Sequence, residues 1–409
     1  MGSEAILTPA TIALDRAVVA ATGILTVYGA ATLLSSDVFG VFVIVESVRV
    51  GILTVADAPL GQATIQRGAA PEVSLPSILG RALFFKAVAL LLVALLCWIV
   101  AGLGLLSGEW SPLLKAMPLW AAMSAVQATA QQALTARRAY GGLLLADTGA
   151  LVMILGGGLV LHSRLTDVAA VMWLVSAVRL LTGSALLLWH GVNFRRARNE
   201  RDDKFLIYSA HSLLNNAATF VNLKADAILV GIVAGSHETA RWGLAAPVIS
   251  MYMLIGEAAN TELFPAVASI EPVRSRASLQ MAVRSSGILW CSAAFALSLV
   301  LFVLPLGDWL DRLSGGRHEL DPVLWILSVA GPVLVAGRVS SSVNNGMGHP
   351  GHNATATLWG LAVKVTAGTL CVWLWGAVGA AVGILAVAIT AAAISSVLAR
   401  REAESWAPV

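Results

Sequence analysis

Four polar side chains recur at helical spacing within an apolar stretch in the second half of the chain. His211, Asn215, Asn222 and Asp226 fall within about 60° of arc when each residue advances by about 100° along a helix. Histidine and aspartate can bind and release protons, and asparagine amides can hydrogen-bond a polar ligand. The spacing therefore predicts a polar stripe along one helix face, suited to ion coupling or to binding a polar substrate.

Further ionisable residues lie in other apolar segments. Arg49 follows Glu46 by three residues, a spacing that predicts an ion pair, and Asp57 shares their side of the helix. Glu257 and Arg338 stand in two later segments. Each ionised group inside hydrocarbon costs at least about 2.5 kcal/mol on insertion scales, so these residues should face the protein interior or a wet cavity.

Two interpretations of these groups stay open from the residues alone. Each group could be a satisfied contact between helices, or it could take part in binding and ion coupling. Arg16 lies beside a face that carries Asp15, and Lys364 and Arg179 are expected to be isolated.

Several kinds of chemistry have no motif in this chain. There is no GxxxxGK[ST] loop for nucleotide phosphates, no HExxH zinc motif and no GxSxG nucleophile motif. The histidines and cysteines do not form a metal site, and the connectors are too short for an active site with acid, base or metal ligands. The sequence predicts a protein that is not an enzyme and has no cofactor.

The composition is that of a polytopic membrane protein. Hydrophobic residues make up 58% of the 409 residues and charged residues only 12%, where soluble domains have about 25% charged residues. Twelve apolar segments are each about long enough to cross a bilayer. The predicted spans are residues 12–34, 40–63, 82–106, 113–135, 143–162, 168–190, 206–234, 240–265, 283–306, 322–346, 355–375 and 377–399.

One long charged run divides these spans into two sets of six. The domains are predicted as 1–190, an N-terminal six-helix bundle, 191–205, a basic linker, and 206–409, a C-terminal six-helix bundle. The excess of Lys and Arg in the linker predicts that it is cytoplasmic, and six spans on each side of the linker then place both termini in the cytoplasm. The net charge of +3 indicates topology and predicts no nucleic-acid partner.

The two halves share a faint internal similarity. LLSSD precedes Phe39-Gly40 in the first half, and GSHETAR precedes Trp242-Gly243 at the same place in the second. With six spans on each side, this similarity favours duplicated bundles. Gly379 and Gly383 form a small-xxx-small face that predicts close helix packing, and residues 156–158 are expected to pack in the same way.

Several segments resemble one family of transporters. NLKADAILVGIVAGSHETARWGLAAPVISMYMLIGEAANTELFPAVASI, at residues 222–270, is similar to the seventh and eighth helices of polysaccharide flippases. VFGVFVIVESV at 38–48 resembles their second helix, and WILSVAGPVL, VNNGMGHPGHNA and WGAVGAAVGILAV resemble their last three helices. These flippases belong to the superfamily of multidrug and lipid-linked oligosaccharide exporters, and the resemblance extends over nearly the whole chain.

The resemblance implies an all-α membrane protein with two pseudo-symmetric six-helix bundles in a V shape like that of MATE transporters. It also implies a secondary transporter that moves an undecaprenyl-diphosphate-linked oligosaccharide across the cytoplasmic membrane of a bacterium by alternating access. The expected partners are the lipid-linked oligosaccharide, membrane lipids, and a polysaccharide polymerase or glycosyltransferases.

Residue roles follow from the same resemblance. The residues expected to bind substrate are Arg16, Arg49, Arg338, Asn215 and Asn222, with the arginines contacting phosphate. The residues expected to couple transport to protons or sodium ions are Asp226, Glu257, Glu46, Asp57 and His211.

Two alternative functions stay open. The first is a cation-coupled multidrug exporter, because the same superfamily includes such proteins. The second is a membrane scaffold that performs no transport and recruits glycosyltransferases through the basic linker at 191–205.

Overall fold

The structure is a computed structural model in which helices account for nearly all of the described residues. It describes residues 4–68, 75–103, 110–136, 139–189, 213, 217–222, 225–270, 275–303, 320–347 and 349–406. No β-strand occurs within these ranges. The chain divides into two compact units, Met1–Phe220 and Val221–Val409.

The first unit contains seven helices in its described part. They are α1 (Glu4–Leu33), α2 (Ser36–Ala56), α3 (Ala58–Gly68), α4 (Leu75–Gly102), α5 (Trp110–Ala136), α6 (Tyr140–Val160) and α7 (Val168–Trp189). A short helical segment covers residues 217–222. The helices of the second unit are α8 (Asp226–Ile270), α9 (Arg276–Val303), α10 (Asp321–Gly346), α11 (Pro350–Val363) and α12 (Thr369–Glu404), with a π-helical turn at Lys364–Gly368.

The described helices overlap each of the twelve predicted spans, although residues 206–212, 214–216 and 223–224 of the seventh span lie outside the described residues. α2 and α3 together cover the second span, and non-helical backbone at Gly235 and Gly376 separates the seventh span from the eighth and the eleventh from the twelfth. By length and composition, eight helices in the described part of the chain can cross a membrane. The chain is a multi-pass membrane protein, as its composition predicts.

α4 has an exposed apolar face that requires a lipid environment. Only 17% of its membrane-spanning window is buried inside the protein, and Leu91, Leu92, Leu95 and Leu96 are all more than half exposed. A continuous apolar face of this kind would aggregate in water, whereas in a bilayer it contacts acyl chains. The exposed side of α4 therefore faces lipid.

Small residues let the helices of the first unit approach closely. α5 packs against α4 and α7, and its contact faces include fully buried Ala121 and Ala130. Gly183 of α7 lies directly against the backbone of Gln127 on α5. Helices in lipid associate through such close packing because no hydrophobic effect drives them together.

The predicted small-residue contacts are confirmed on α12 and only in part on α6. A Cβ atom on Gly379 would overlap the carbonyl oxygen of Cys371, and one on Gly383 would lie 3.2 Å from Cα of Gly368. On α6, Gly157 contacts the side chain of Leu174, but Gly156 and Gly158 have nothing within 4 Å of such an atom. The prediction is wrong for these two residues because they lie on faces of α6 that no neighbour covers.

The break at Gly376 has its own cap. Gly376 has φ +55° and ψ −126°, a conformation that only glycine adopts readily. The next backbone N–H, on Ala377, donates a hydrogen bond of 2.8 Å to Oε2 of Glu238. Glu238 lies 3.7 Å from Arg241 through its other oxygen. A carboxylate at the start of the helical segment 377–404 stabilises both its free N–H groups and its dipole.

Gly376→Ala is expected to lower the free energy of unfolding by about 1–3 kcal/mol, because alanine is strained at this φ and ψ. Its Cβ would also lie 2.5 Å from Oε2 of Glu238 and displace the cap. Thermal unfolding in detergent measures the effect. Gly149→Ala, on α6 with nothing within 4 Å of the added atom, is the matched control. Equal unfolding temperatures for the two variants would contradict the assignment of strain.

Candidate functional site

The first unit holds an arginine whose charge is neutralised locally. Arg49 is 1% exposed, and its guanidinium donates to both carboxylate oxygens of Glu46 and, at 2.7 Å, to the hydroxyl of Ser124 on α5. The predicted pair of Glu46 and Arg49 is therefore confirmed. Arg179 of α7 interacts electrostatically with Arg49, Glu46 and Asp147. Arg179 has no ion pair with a described carboxylate within 4.0 Å, so the expectation that it is isolated stays a prediction.

A second buried ion pair joins α4 to the turn between α2 and α3. Nζ of Lys86 lies 2.5 Å from Oδ1 of Asp57, and both side chains are almost fully buried. Lys86 also donates hydrogen bonds of 2.7 Å to Thr129 and to Gln132 on α5. Gln132 in turn donates to Oδ2 of Asp57 at 3.2 Å. The four side chains form one hydrogen-bonded network that joins α4, α5 and the turn between α2 and α3.

Two amides of α5 hold a third buried carboxylate. Gln131 donates to Oδ1 of Asp147 on α6 at 2.5 Å, and Gln127 donates to the same oxygen at 3.3 Å. Asp147 is 4% exposed. α5 supplies Ser124, Thr129 and three glutamines. These side chains hydrogen-bond the buried charged groups of other elements in the first unit.

The second unit contains a buried pair that joins its first and last parts. Lys364 donates to Oδ1 of Asp226, and their side chains are 3% and 1% exposed. Lys364 begins the π-helical turn, and its side chain runs beside Gly368 and Gly383, where a Cβ would approach it. The expectation that Lys364 is isolated is wrong. The glycines leave a slot through which the lysine reaches an aspartate 138 residues earlier in the sequence.

Two buried acceptor atoms in this part of the second unit lack donors. Oδ2 of Asp226 and Oδ1 of Asn222, four residues earlier in the sequence, accept no hydrogen bond from any described residue. Asn222 uses its amide nitrogen to donate to the carbonyl of Thr357 on α11 at 3.0 Å. An unsatisfied buried acceptor costs about 1–3 kcal/mol. The Asp226 oxygen without a donor leaves a place for a proton on that carboxylate.

One ion pair of the second unit is half-exposed and loose. Nη2 of Arg338 on α10 lies 3.8 Å from Oε1 of Glu257 on α8, and their side chains are 35% and 54% exposed. The stem of Arg338 packs over Gly256, where a Cβ would come within 2.9 Å of Cγ. Because the pair is open and partly solvated, Arg338 can exchange its carboxylate partner for another anion at low cost.

The structure brings the predicted residues into separate groups. Glu46, Arg49 and Asp57 lie in the first unit, whereas Asn222, Asp226, Glu257 and Arg338 lie in the second. Arg49, Asp57, Asn222 and Asp226 are buried within their own unit. Among the predicted site residues whose side chains the structure describes, only Glu46, Arg338 and Glu257 are substantially exposed, at 25%, 35% and 54%. His211 and Asn215 lie outside the described residues, as does the side chain of Arg16.

Lys86 and the glutamines of α5 are absent from the predicted site. The signal for Lys86 is a single charge inside the apolar run FFKAVALLL, which cannot remain unpaired in lipid. The glutamines give a weaker signal, because uncharged amides are common in helices that span membranes. In the described part of the chain no three His, Cys, Asp or Glu side chains could together hold a metal ion.

The fold and these pairs define a multi-pass helical membrane protein in which several buried charged side chains form ion pairs. Its fold is that of the MATE transporters. One similar structure is the inward-facing conformation of a multidrug resistance MATE family transporter of the MOP superfamily, with 14% identity and a TM-score of 0.76, covering 96% of this chain and 98% of that chain.

Two further structures share the fold. One is an outward-facing conformation of a multidrug resistance MATE family transporter, with 14% identity, a TM-score of 0.61, and coverage of 97% of this chain and 96% of that chain. The other is a MOP superfamily transporter from Pyrococcus furiosus, with 13% identity, a TM-score of 0.62, and coverage of 98% and 95%. No protein-family model and no curated protein matches the sequence.

Proposed function

We propose that the chain is a proton-coupled secondary transporter that moves a diphosphate-linked oligosaccharide lipid across the cytoplasmic membrane of a bacterium by alternating access. The observation that carries the proposal is the buried pair of Asp226 and Lys364 in a transporter fold. A buried ion pair contributes little net stability compared with well-packed apolar residues. Oδ2 of Asp226 accepts no hydrogen bond from a described residue, whereas the oxygens of Asp57 contact Lys86 and Gln132. This difference favours a role in coupling for the pair of Asp226 and Lys364.

Alternating access is supported by the neighbours of the fold. Structures that share it are described as inward-facing and outward-facing conformations of MATE transporters. A protein that opens to each side in turn can move a charged headgroup through its interior while the lipid tail stays in the bilayer. Transport of this kind needs no enzyme chemistry in the chain.

The coupling step follows from the chemistry of the pair. A proton that binds Asp226 neutralises the carboxylate, and Oδ2 of Asp226, which accepts no hydrogen bond from a described residue, can carry it. Lys364 then loses its counter-ion and must leave its slot. Lys364 stands at the start of the π-helical turn Lys364–Gly368, and such turns are frequent at functional sites. A sodium ion suits this position less well, since it would meet the ammonium group of Lys364.

The charge of the substrate is inferred from Arg338. Its guanidinium is half-exposed and loosely paired, whereas Arg49 is engaged on two sides. A diphosphate competes well for such a guanidinium because it can accept two parallel hydrogen bonds. The neighbour from Pyrococcus furiosus is described as having a binding pocket of reverse polarity, which suggests a different function for it.

Arg338→Gln is expected to weaken binding of the lipid-linked diphosphate by about tenfold or more, since hydrogen bonds to charged groups contribute roughly 1.5–3 kcal/mol. Arg338→Lys should lie between this variant and the wild type because it keeps the charge and loses the planar fork. Titration of the purified protein with the lipid measures the affinity. Arg164→Gln, an exposed residue in the 3₁₀ turn after α6, is the control. Unchanged affinity in Arg338→Gln would contradict this assignment.

Deletion of the gene tests the substrate class. The expected result is stalled assembly of surface glycan, with lipid-linked intermediates that accumulate in the inner leaflet. Complementation with the wild-type chain should clear the intermediates. Normal glycan assembly in the deletion strain would reject the proposal.

A cation-coupled multidrug exporter is the second candidate. The observation that favours it is the description of two structural neighbours as multidrug resistance transporters. Overexpression would then confer resistance to cationic dyes, and deletion would leave glycan assembly intact. These two phenotypes separate the candidates in one pair of strains.

A further inference from the structure

A basic cavity opens among α9, α10 and α12 of the second unit. Its volume is about 470 Å³, within the range of pockets that hold small ligands, about 300–1,000 Å³. The first turns of α9 and the last turns of α10 and α12 form it, so it lies at one end of these three membrane-spanning helices. It involves none of the residues placed in the transport site.

Three arginines give the cavity an excess of positive charge. Arg276, Arg284 and Arg400 line it with a single acidic residue, Glu404. Arg400 donates to Glu404 through Nε at 2.9 Å. Neither Arg276 nor Arg284 has a carboxylate within 4.0 Å among the described side chains. Two guanidiniums without a carboxylate partner among the described residues, beside a third, favour an anionic ligand, and phosphate is the group whose oxygens fit them best.

The rest of the lining is mostly apolar, with Gln280 and two serines as its polar members. Leu279, Val283, Val343, Ala399 and Ala403 form most of it. The hydroxyls of Ser340 and Ser396, which also line the cavity, bond to each other at 2.8 Å. A free phosphate ion would gain nothing from the apolar surface. A ligand with a charged head and a hydrocarbon tail would use both parts.

The outer face of α9 continues the apolar surface away from the arginines. Ile288, Phe295 and Phe302 are each more than half exposed, and they follow Arg284 at spacings that keep all four residues within about 40° of arc. One face of α9 thus carries a cation near its first turns and exposed hydrocarbon along the rest of its length. This is the polarity profile of a phospholipid at a membrane interface.

We propose that the cavity lined by Arg276, Arg284 and Arg400 binds one anionic phospholipid, with its phosphate against the arginines and an acyl chain along α9. The charge complementarity and the apolar stripe argue together for a lipid over a soluble anion or a protein segment. This site is independent of the proposed transport substrate, because no residue of the transport site lines it.

The test uses the purified full chain in nanodiscs or detergent with defined lipids. Phosphatidylglycerol should be retained in native mass spectra and should raise the unfolding temperature, whereas phosphatidylcholine and inorganic phosphate should do neither. Arg400→Gln should weaken phosphatidylglycerol binding by about fivefold, since each basic residue near a lipid surface contributes on the order of 1 kcal/mol. The triple substitution of Arg276, Arg284 and Arg400 by glutamine should weaken it by about 100-fold.

Arg401→Gln is the matched control. Arg401 follows Arg400 on the same helix and is equally exposed, but it does not line the cavity. Binding should therefore be unchanged in this variant. Ala403→Phe, which fills the apolar part, should reduce lipid binding with all three arginines in place.

Three results would overturn the proposal. The first is equal loss of binding in Arg400→Gln and Arg401→Gln, which would indicate a general surface charge. The second is stabilisation by inorganic phosphate equal to that by phosphatidylglycerol, which would indicate a free-anion site. The third is a lipid-independent dimer that Ala403→Phe disrupts, which would indicate a second copy of the chain. If the triple variant does not fold, the single variants decide alone.

Discussion

Replacing both members of the Asp226–Lys364 pair by neutral residues is expected to leave a folded protein that no longer couples transport to a proton gradient. Asp226→Asn alone leaves the ammonium group of Lys364 buried without its counter-ion, at 3% exposure. Breaking a buried pair in this way costs about 3–5 kcal/mol. Asp226→Asn with Lys364→Met removes both charges, and such replacements are often neutral or stabilising.

The stability and the coupling of these variants separate a functional pair from a structural one. If the pair serves only to hold the helices together, the double variant should recover both its unfolding temperature and its transport. If the pair binds the coupling proton, the double variant should recover the unfolding temperature but stay inactive. Thermal unfolding in detergent and gradient-driven transport in proteoliposomes measure the two properties.

The pair in the first unit is the matched control. Asp57→Asn with Lys86→Met also removes two opposite charges from buried positions. Because Lys86 and Asp57 are joined to α5 by Thr129 and Gln132, we infer a structural network. Its double variant should stay folded and keep proton coupling. Coupling lost in this variant and kept in the Asp226 double variant would move the coupling site to the first unit.

Gly183→Ala is expected to destabilise the first unit strongly. A Cβ at this position would overlap the backbone nitrogen and Cα of Gln127 and would lie 2.8 Å from the carbonyl carbon of Val126. Backbone atoms cannot move aside as a flexible side chain can, so α7 would have to shift away from α5. Overpacking of this kind costs about 1–3 kcal/mol and sometimes more.

The measurement is the unfolding temperature of the variant in detergent. We expect it to fall by about 5 °C or more, since 1 kcal/mol corresponds to roughly 2–4 °C in a unit of this size. Gly156→Ala is the control, because nothing lies within 4 Å of its added atom. The unfolding temperature of Gly156→Ala should be unchanged or slightly raised, because alanine has a better helix propensity than glycine, worth up to about 1 kcal/mol. Similar temperatures for the two variants would refute the close contact of α5 with α7.

The spans could be predicted from the sequence because their signal is local. A run of about 20 apolar residues between polar connectors specifies one crossing, and the tertiary structure does not alter that requirement. The ion pair of Glu46 with Arg49 is equally local, since three residues along a helix place the two side chains side by side. The break at Gly376 could not be predicted, because it depends on Glu238 from another helix.

The sequence does not predict that Lys364 is the partner of Asp226. Helical periodicity places residues on a face, but it does not tell which other helix packs against that face. Lys364 lies 138 residues away and reaches the aspartate only through the slot beside Gly368 and Gly383. Lys86 shows the same limit, because a lone charge in an apolar run requires a partner without identifying it.

The most direct test of proton-coupled flipping is made in sealed proteoliposomes that contain the purified chain and an undecaprenyl-diphosphate-linked oligosaccharide in one leaflet. An impermeant sugar-cleaving reagent outside reports how fast the sugar appears on the outer face. A pH gradient should accelerate this appearance in wild-type vesicles, a sodium gradient at constant pH should not, and the variant carrying both Asp226→Asn and Lys364→Met should match protein-free vesicles. Equal rates in wild-type and protein-free vesicles under a pH gradient would contradict the proposal.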